Sequence, residues 1–156
     1  MTDEDAMKHA IAVCREGIRR GQSPFGAAIV KEGLIVAATH NTVRSHNDPT
    51  AHAEVNVLRA ASRVLATFDL TGCTLYTTCE PCPMCLAASH WAHVDRVVFG
   101  AAISDADRAG FREMPVPADE LAAMGKCELK LTGKVLRDEC SRLFHEWKAA
   151  GNGTPY

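Results

Sequence analysis

His52 and Glu54 stand either side of Ala53, and further along Cys82 and Cys85 bracket Pro83-Met84. One imidazole and two thiolates are the donors zinc takes when it keeps its fourth position for water. A carboxylate that lies beside such a centre without ligating it can carry the water's proton. The residue types and spacing therefore predict a hydrolytic centre: one zinc ion per chain on His52, Cys82 and Cys85, with Glu54 as proton carrier. A second reading stays open. Cys79 extends the run to Cys79-x-x-Cys82-x-x-Cys85, which together with His52 makes a closed, purely structural zinc site. An iron–sulfur run wants a further cysteine shortly downstream, where Ala88 and Ser89 stand instead.

Both ligand segments read as loops leading into helix starts, where the partial positive charge favours thiolate over thiol. Asn47-Asp48-Pro49-Thr50 is turn chemistry and should start a helix carrying His52, Glu54, Val55, Leu58 and Ala61. Cys73 to Thr78 reads as a strand, and the helix after it opens at Pro81 or Pro83, where proline is tolerated. Thr2-x-x-Asp5 resembles a capping box before Met7, Ala10, Ile11, Cys14 and Ile18, which recur at helical spacing until Gly21. Phe25–Val30 and Leu34–Ala38, joined by Lys31-Glu32-Gly33, predict a hairpin. Val94–Gly100 is the next strand. Short helices are expected over Asp105–Ala109 and Pro117–Met124, an edge strand over Lys126–Leu131 and a closing helix over Lys134–Ala149. The order α-β-β-α-β-α-β-α-(β)-α predicts a three-layer α/β/α fold around a central mixed sheet, its central strands parallel.

The length of 156 residues suits one domain over 1–156, with 150–156 as a tail. A formal charge of −2 gives no general attraction to phosphate backbones, so no nucleic-acid partner is expected. No apolar run approaches the roughly 18 residues of a membrane span. The acidic start Met1-Thr2-Asp3-Glu4-Asp5 is unlike a signal peptide, and an odd total of 7 cysteines suits a metal site in a reducing, cytoplasmic setting. Cys14, Cys73, Cys127 and Cys140 are expected as small buried hydrophobes.

At these residues the chain resembles the cytidine and deoxycytidylate deaminase superfamily, and within it the bacterial guanine deaminases. The resemblance rests on Ser23-Pro24-Phe25-Gly26-Ala27, on Asn47 to Val55, on Thr78 to Cys85, on Asp105 to Phe111, and on Phe144, Trp147 and terminal Tyr156. It implies hydrolytic deamination of a purine base, guanine to xanthine and ammonia, with nucleoside, cytosine or triazine deamination as the alternative and tRNA adenosine deamination a more distant one. It implies that Asn41 hydrogen-bonds the base, that Phe25 and Trp91 wall its pocket beside Ala53, and that the enzyme is a homodimer. It further implies that the tail crosses to the partner, where Tyr156 covers the active site. Glu113 stands where the relatives carry aspartate, one methylene longer, for a role in ammonia release or in reading the 2-amino group. Phe25 and Trp91 also read as plain core aromatics, and Asn41 as a turn residue.

Overall fold

The computed structural model describes residues 1–151 and 153–156; Asn152, inside the expected tail, lies outside the described residues. The first helix is capped as its sequence predicts. Thr2 Oγ1 accepts from the Asp5 amide at 3.1 Å and Asp5 accepts from the Thr2 amide at 3.3 Å, so both ends of the box are closed. From there α1 (Asp3–Arg19) buries Met7, Ala10, Ile11, Cys14 and Ile18 along one stripe.

The hairpin follows as β1 (Gly26–Lys31) and β2 (Leu34–His40). Lys31 pairs with Leu34, leaving Glu32 and Gly33, both at positive φ, as a two-residue turn of the kind that matches strand twist. A short α2 (Val43–His46), unexpected from the sequence, precedes α3 (Ala53–Leu65). The chain continues through β3 (Cys73–Cys79), α4 (Pro83–Trp91), β4 (Arg96–Ala101), α5 (Ile103–Ala109), α6 (Ala118–Met124), β5 (Lys130–Thr132) and α7 (Arg137–Ala149).

The strands form one sheet in the order β2-β1-β3-β4-β5. The pairs β1–β2 and β1–β3 are antiparallel, while β3–β4 and β4–β5 are parallel. Alternation along the strands sorts the core into two layers. Ala28, Val30, Tyr76 and Val98 face α1 and α7; Ala27, Ile29, Leu75 and Val97 face α3. The expected α/β/α sandwich with a mixed sheet is what forms.

Three boundaries differ. The edge strand shrinks to Lys130–Thr132, because Lys126 adopts a left-handed conformation just after α6. The last helix begins at Arg137 and not at Lys134, since Lys134 and Leu136 both have positive φ. The strand expected from Val94 begins at Arg96, the Val94 amide being used to close α4 on Ser89 O at 3.2 Å. Cys14, Cys73 and Cys140 are buried as expected. Cys127 is only partly covered, with Sγ 3.2 Å from His90 Nδ1. Among the described residues no helix is long and apolar enough to cross a membrane.

Candidate active site

Two helix starts converge on the C-terminal end of β3. His52 is the N-cap of α3 and Cys82 the N-cap of α4, both with extended backbone, and neither side chain caps its own helix. Their donor atoms are thereby free to point elsewhere. Pro83 opens α4 at a position that needs no N–H, and Cys85 follows within its first turn. His52 Nδ1 lies 3.5 Å from Cys85 Sγ and 3.7 Å from Cys82 Sγ, and the three donors all fall within 4.8 Å of one another. The hydrogen bond from Cys85, opposed by burial, and the His52 contact push the Cys82 thiol down to about 4, while the same bond pushes Cys85 well up. Burial opposes protonation of His52, but Cys82 and Glu54 carry it above its ordinary value. One imidazole and two sulfurs within 4.8 Å of one another form a donor set that fits zinc.

Cys79 does not join them. Its thiol turns to the carbonyl of Ala102 at 3.5 Å, so the closed site of three cysteines and one histidine is not built. Glu54 is 4% exposed. Its Oε1 accepts from Thr77 Oγ1 at 3.0 Å and its Oε2 from Cys85 Sγ at 3.5 Å. Burial raises its carboxyl above the usual range, the direction expected of a carboxylate taken out of water.

Above this floor opens a cavity of 280 Å³ whose lining includes His52, Glu54, Cys82, Phe25, Phe111, Glu113 and Tyr156. Phe25 and Phe111 meet edge to face at 4.9 Å, backed by Phe144 and Trp147. Burial and the neighbouring Cys82 push the Glu113 carboxyl up to about 7; a cation on the three ligands would pull it back towards ionisation.

The sequence-predicted residues divide. Phe25, His52, Glu54, Cys82, Glu113 and Tyr156 line the cavity, and Cys85 reaches it through His52. Asn41 is fully buried behind the wall, its Nδ2 donating to Tyr156 Oη at 2.6 Å and its Oδ1 accepting from the Val43 amide at 3.1 Å. Ala53 is buried, with its carbonyl accepting from Thr39 Oγ1. Trp91 is not in the wall: it is the last residue of α4, 78% exposed, and roughly 9 Å along the helix axis from Cys85. Tyr156 lies over its own chain's cavity, its ring 5.9 Å from His52 and 5.6 Å from Phe111, and its carbonyl accepts from the Arg112 amide at 3.1 Å.

Three polar residues escaped the sequence reading. Thr77 orients Glu54. Asp105 accepts from Ala102 N at 2.9 Å, Ser141 Oγ at 3.3 Å and Arg137 Nη2 at 3.2 Å, tying α5 to α7; its place in the first turn of α5 was the available signal. Glu80 accepts from the amides of Ile103 at 3.2 Å and Ala118 at 2.9 Å, and nothing local marks it.

Residues 1–101 match the family described as the cytidine and deoxycytidylate deaminase zinc-binding region. The chain is 46% identical over 127 residues to guanine deaminase of Bacillus subtilis, covering 77% of this chain and 81% of that one. It is 43% identical over 101 residues to tRNA-specific adenosine deaminase of Aquifex aeolicus, covering 65% and 67%. A crystal structure of a mutant protein in complex with 8-azaguanine superposes with TM-score 0.88 at 32% identity, covering 95% of this chain and 86% of that one. With its His-Cys-Cys donor set and buried glutamate in place, the chain belongs to the cytidine and deoxycytidylate deaminase zinc-binding family.

Proposed function

We propose that this chain is a zinc-dependent aminohydrolase that converts guanine and water to xanthine and ammonia. The observation that carries this reading is the joint placement of Glu54 and Glu113 with His52 and Cys82 around one 280 Å³ cavity. That volume sits just below the roughly 300–1,000 Å³ of pockets for larger ligands and suits a free base. The likeness to a guanine deaminase and to a protein solved with 8-azaguanine supports it.

Held by His52, Cys82 and Cys85, zinc supplies a Lewis acid that brings the acidity of water towards neutral pH. Glu54 takes the proton from the attacking water and passes it to a ring nitrogen. It then takes the remaining proton from the hydroxyl now added to the ring carbon and gives it to the amino group, as the carbon–oxygen double bond forms, the carbon–nitrogen bond breaks and ammonia leaves. Thr77 holds Glu54 Oε1 in place through these steps. Phe25 and Phe111 offer ring edges and faces to a planar base. Glu113 accepts from an exocyclic N–H of the substrate. Asn41 fixes the Tyr156 hydroxyl, and the Tyr156 ring shuts water out of the reaction.

The whole chain serves as one catalytic unit, working as a cytoplasmic homodimer. Seven free cysteines suit a reducing compartment. Exposed Phe68, Trp91 and Met124, at or just past the C-terminal ends of α3, α4 and α6, support a subunit contact. A lid over the cavity and a formal charge of −2 disfavour a tRNA substrate. Ammonia release measured across guanine, guanosine, adenine, cytosine, cytidine and a tRNA stem-loop tests the assignment, with guanine expected to give the highest kcat/KM. A higher value for guanosine, a pyrimidine or the stem-loop overturns it.

A further inference from the structure

We propose that Glu80 is a positioning residue for substrate: its carboxylate holds the start of α6, where the cavity wall ends, and the start of α5, the helix from which that wall leaves. The wall is the stretch carrying Phe111, Arg112, Glu113 and Met114, all of which line the cavity. It leaves the C-terminus of α5 and ends at the start of α6. Neither N-cap residue can cap with its own side chain, these being Ala102 and Pro117, and in α5 Asp105 takes only the Ala102 amide. Each start therefore has orphan N–H groups and a partial positive charge. Glu80 answers both at once, Oε2 accepting from the Ile103 amide at 3.2 Å and Oε1 from the Ala118 amide at 2.9 Å.

At one point the wall is anchored by packing, Phe111 being buried against Phe25, Phe144 and Trp147; beyond that it has few other tethers among the described residues. Its backbone bonds run within itself or back to α5, as from Phe111 N to Ala106 O and Glu113 N to Phe111 O, apart from Arg112 N to Tyr156 O in the tail. Asp105 fixes α5 to α7 on the opposite side but touches nothing at the α6 end. Glu80 is itself rigid, its amide donating to Ala101 O at 2.8 Å, and it sits between Cys79 and the Pro81-Cys82 step. One carboxylate thus ties the metal-ligand loop to the α6 end of the wall and to the start of α5, the helix from which the wall leaves; Arg112 joins the same wall to the tail that lids the cavity. Losing charge-assisted hydrogen bonds to a carboxylate costs enough to matter for the part of the wall beyond Phe111, where backbone bonds to the rest of the fold are few.

This inference rests on the purine-base reading of the cavity, and the experiment separates the two. In a Glu54→Gln background, which binds without turnover, calorimetry measures 8-azaguanine affinity with and without Glu80→Ala and Glu80→Gln, alongside zinc content and amide hydrogen exchange. Glu80→Ala is expected to weaken binding about ten-fold or more with one zinc per chain retained. Glu80→Gln offers one acceptor and sets an NH2 against the other amide, so its loss should be intermediate. Exchange should quicken at Ile103, Ala118 and residues 111–114, while β3 and β4 stay protected. Unchanged affinity in Glu80→Ala, zinc loss in both variants, or exchange rising uniformly through the sheet overturns the positioning role. If the parent itself fails to bind 8-azaguanine, the base assignment falls. Localised or uniform exchange then decides whether Glu80 holds the wall.

Discussion

Asn41 Nδ2 stands 2.6 Å from Tyr156 Oη, joining a fully buried side chain to the last residue of the chain. The pairing sets the lid: the amide sits behind the wall, and the aromatic ring it holds closes over the ligand histidine. Burial keeps the Tyr156 hydroxyl protonated well beyond its ordinary range, so it remains a neutral partner at any working pH.

Tyr156→Phe should leave the Asn41 amide buried without its acceptor, at a cost of about 1–3 kcal/mol to the closed lid. The expected outcome is a higher KM for guanine with zinc content unchanged, and a larger effect on deleting 153–156. Mixing tail-less subunits with Glu54→Gln subunits locates the lid. Activity above either parent shows a tail acting across the dimer, and no gain in proven heterodimers shows each tail serving its own cavity.

Glu54→Gln should retain zinc and lose about 10²–10⁴ in kcat. Thr77→Val, which removes the bond to Glu54 Oε1, should lower kcat by a smaller factor, about ten-fold, through misorientation of the carboxylate. Steady-state rates beside metal analysis check both; a Gln variant with near-normal turnover would end Glu54's role.

Alkylation should report the metal. Cys14, Cys73, Cys79, Cys85 and Cys140 are buried, and only Cys82 and Cys127 have partial access. With zinc bound, peptide mapping after iodoacetamide should find the label on Cys127 alone. After chelation Cys82 should follow, ahead of Cys85. Early labelling of Cys14 or Cys140 would contradict the packing.

Gly100→Ala should destabilise the fold by about 1–3 kcal/mol or more. A methyl there would meet Cys140 Sγ and lie 2.7 Å from Cys140 Cβ, against α7, with Val135 O at 3.0 Å on the other side. Thermal melting gives the answer, and a variant as stable as the parent would mean that α7 yields more easily than its packing implies.

Acid should loosen the first helix from the sheet. Arg96 grips Asp3 through two bonds of 2.9 and 2.7 Å, and Tyr76 adds a third at 2.9 Å. The Arg96 bonds hold the Asp3 carboxyl below its ordinary value despite burial. A carboxyl lowered on folding contributes stability that is complete above the unfolded value near 3.9 and is lost as pH falls through the folded one. Asp3→Asn should therefore lower Tm at neutral pH, with the gap to the parent closing below about pH 4. A gap that persists there assigns the effect to something other than this charge.

What the sequence reveals and what it hides follow from the range of the interactions. The hairpin at Glu32-Gly33, the capping box at Thr2 and the His-x-Glu and Pro-Cys-x-x-Cys segments are local signals, each confined to one turn or strand, and each marks its element. Boundaries failed where backbone handedness decides, at Lys126, Lys134 and Leu136, because no residue type there demands a left-handed conformation. Glu80 was invisible for another reason. Its partners are backbone amides, which carry no letter of the sequence and lie far along the chain. Trp91 misled because an aromatic near ligand cysteines reads as pocket lining, and only the direction of α4 shows that it stands at the far end.

Glu54 and the donor set of His52, Cys82 and Cys85 all lie within residues 1–101, the stretch that matches the family. Phe111, Arg112, Glu113, Met114 and Tyr156, which form much of the cavity's wall and roof, come after it. On the proposed reading, the reactive groups sit in one part of the chain and most of the cavity's wall and roof in another, with Phe25 and Asn41 the contributions of the first part to the second. Retargeting this enzyme to another aminated ring becomes a matter of editing 103–118 and the last few residues, with the hydrolytic machinery left untouched.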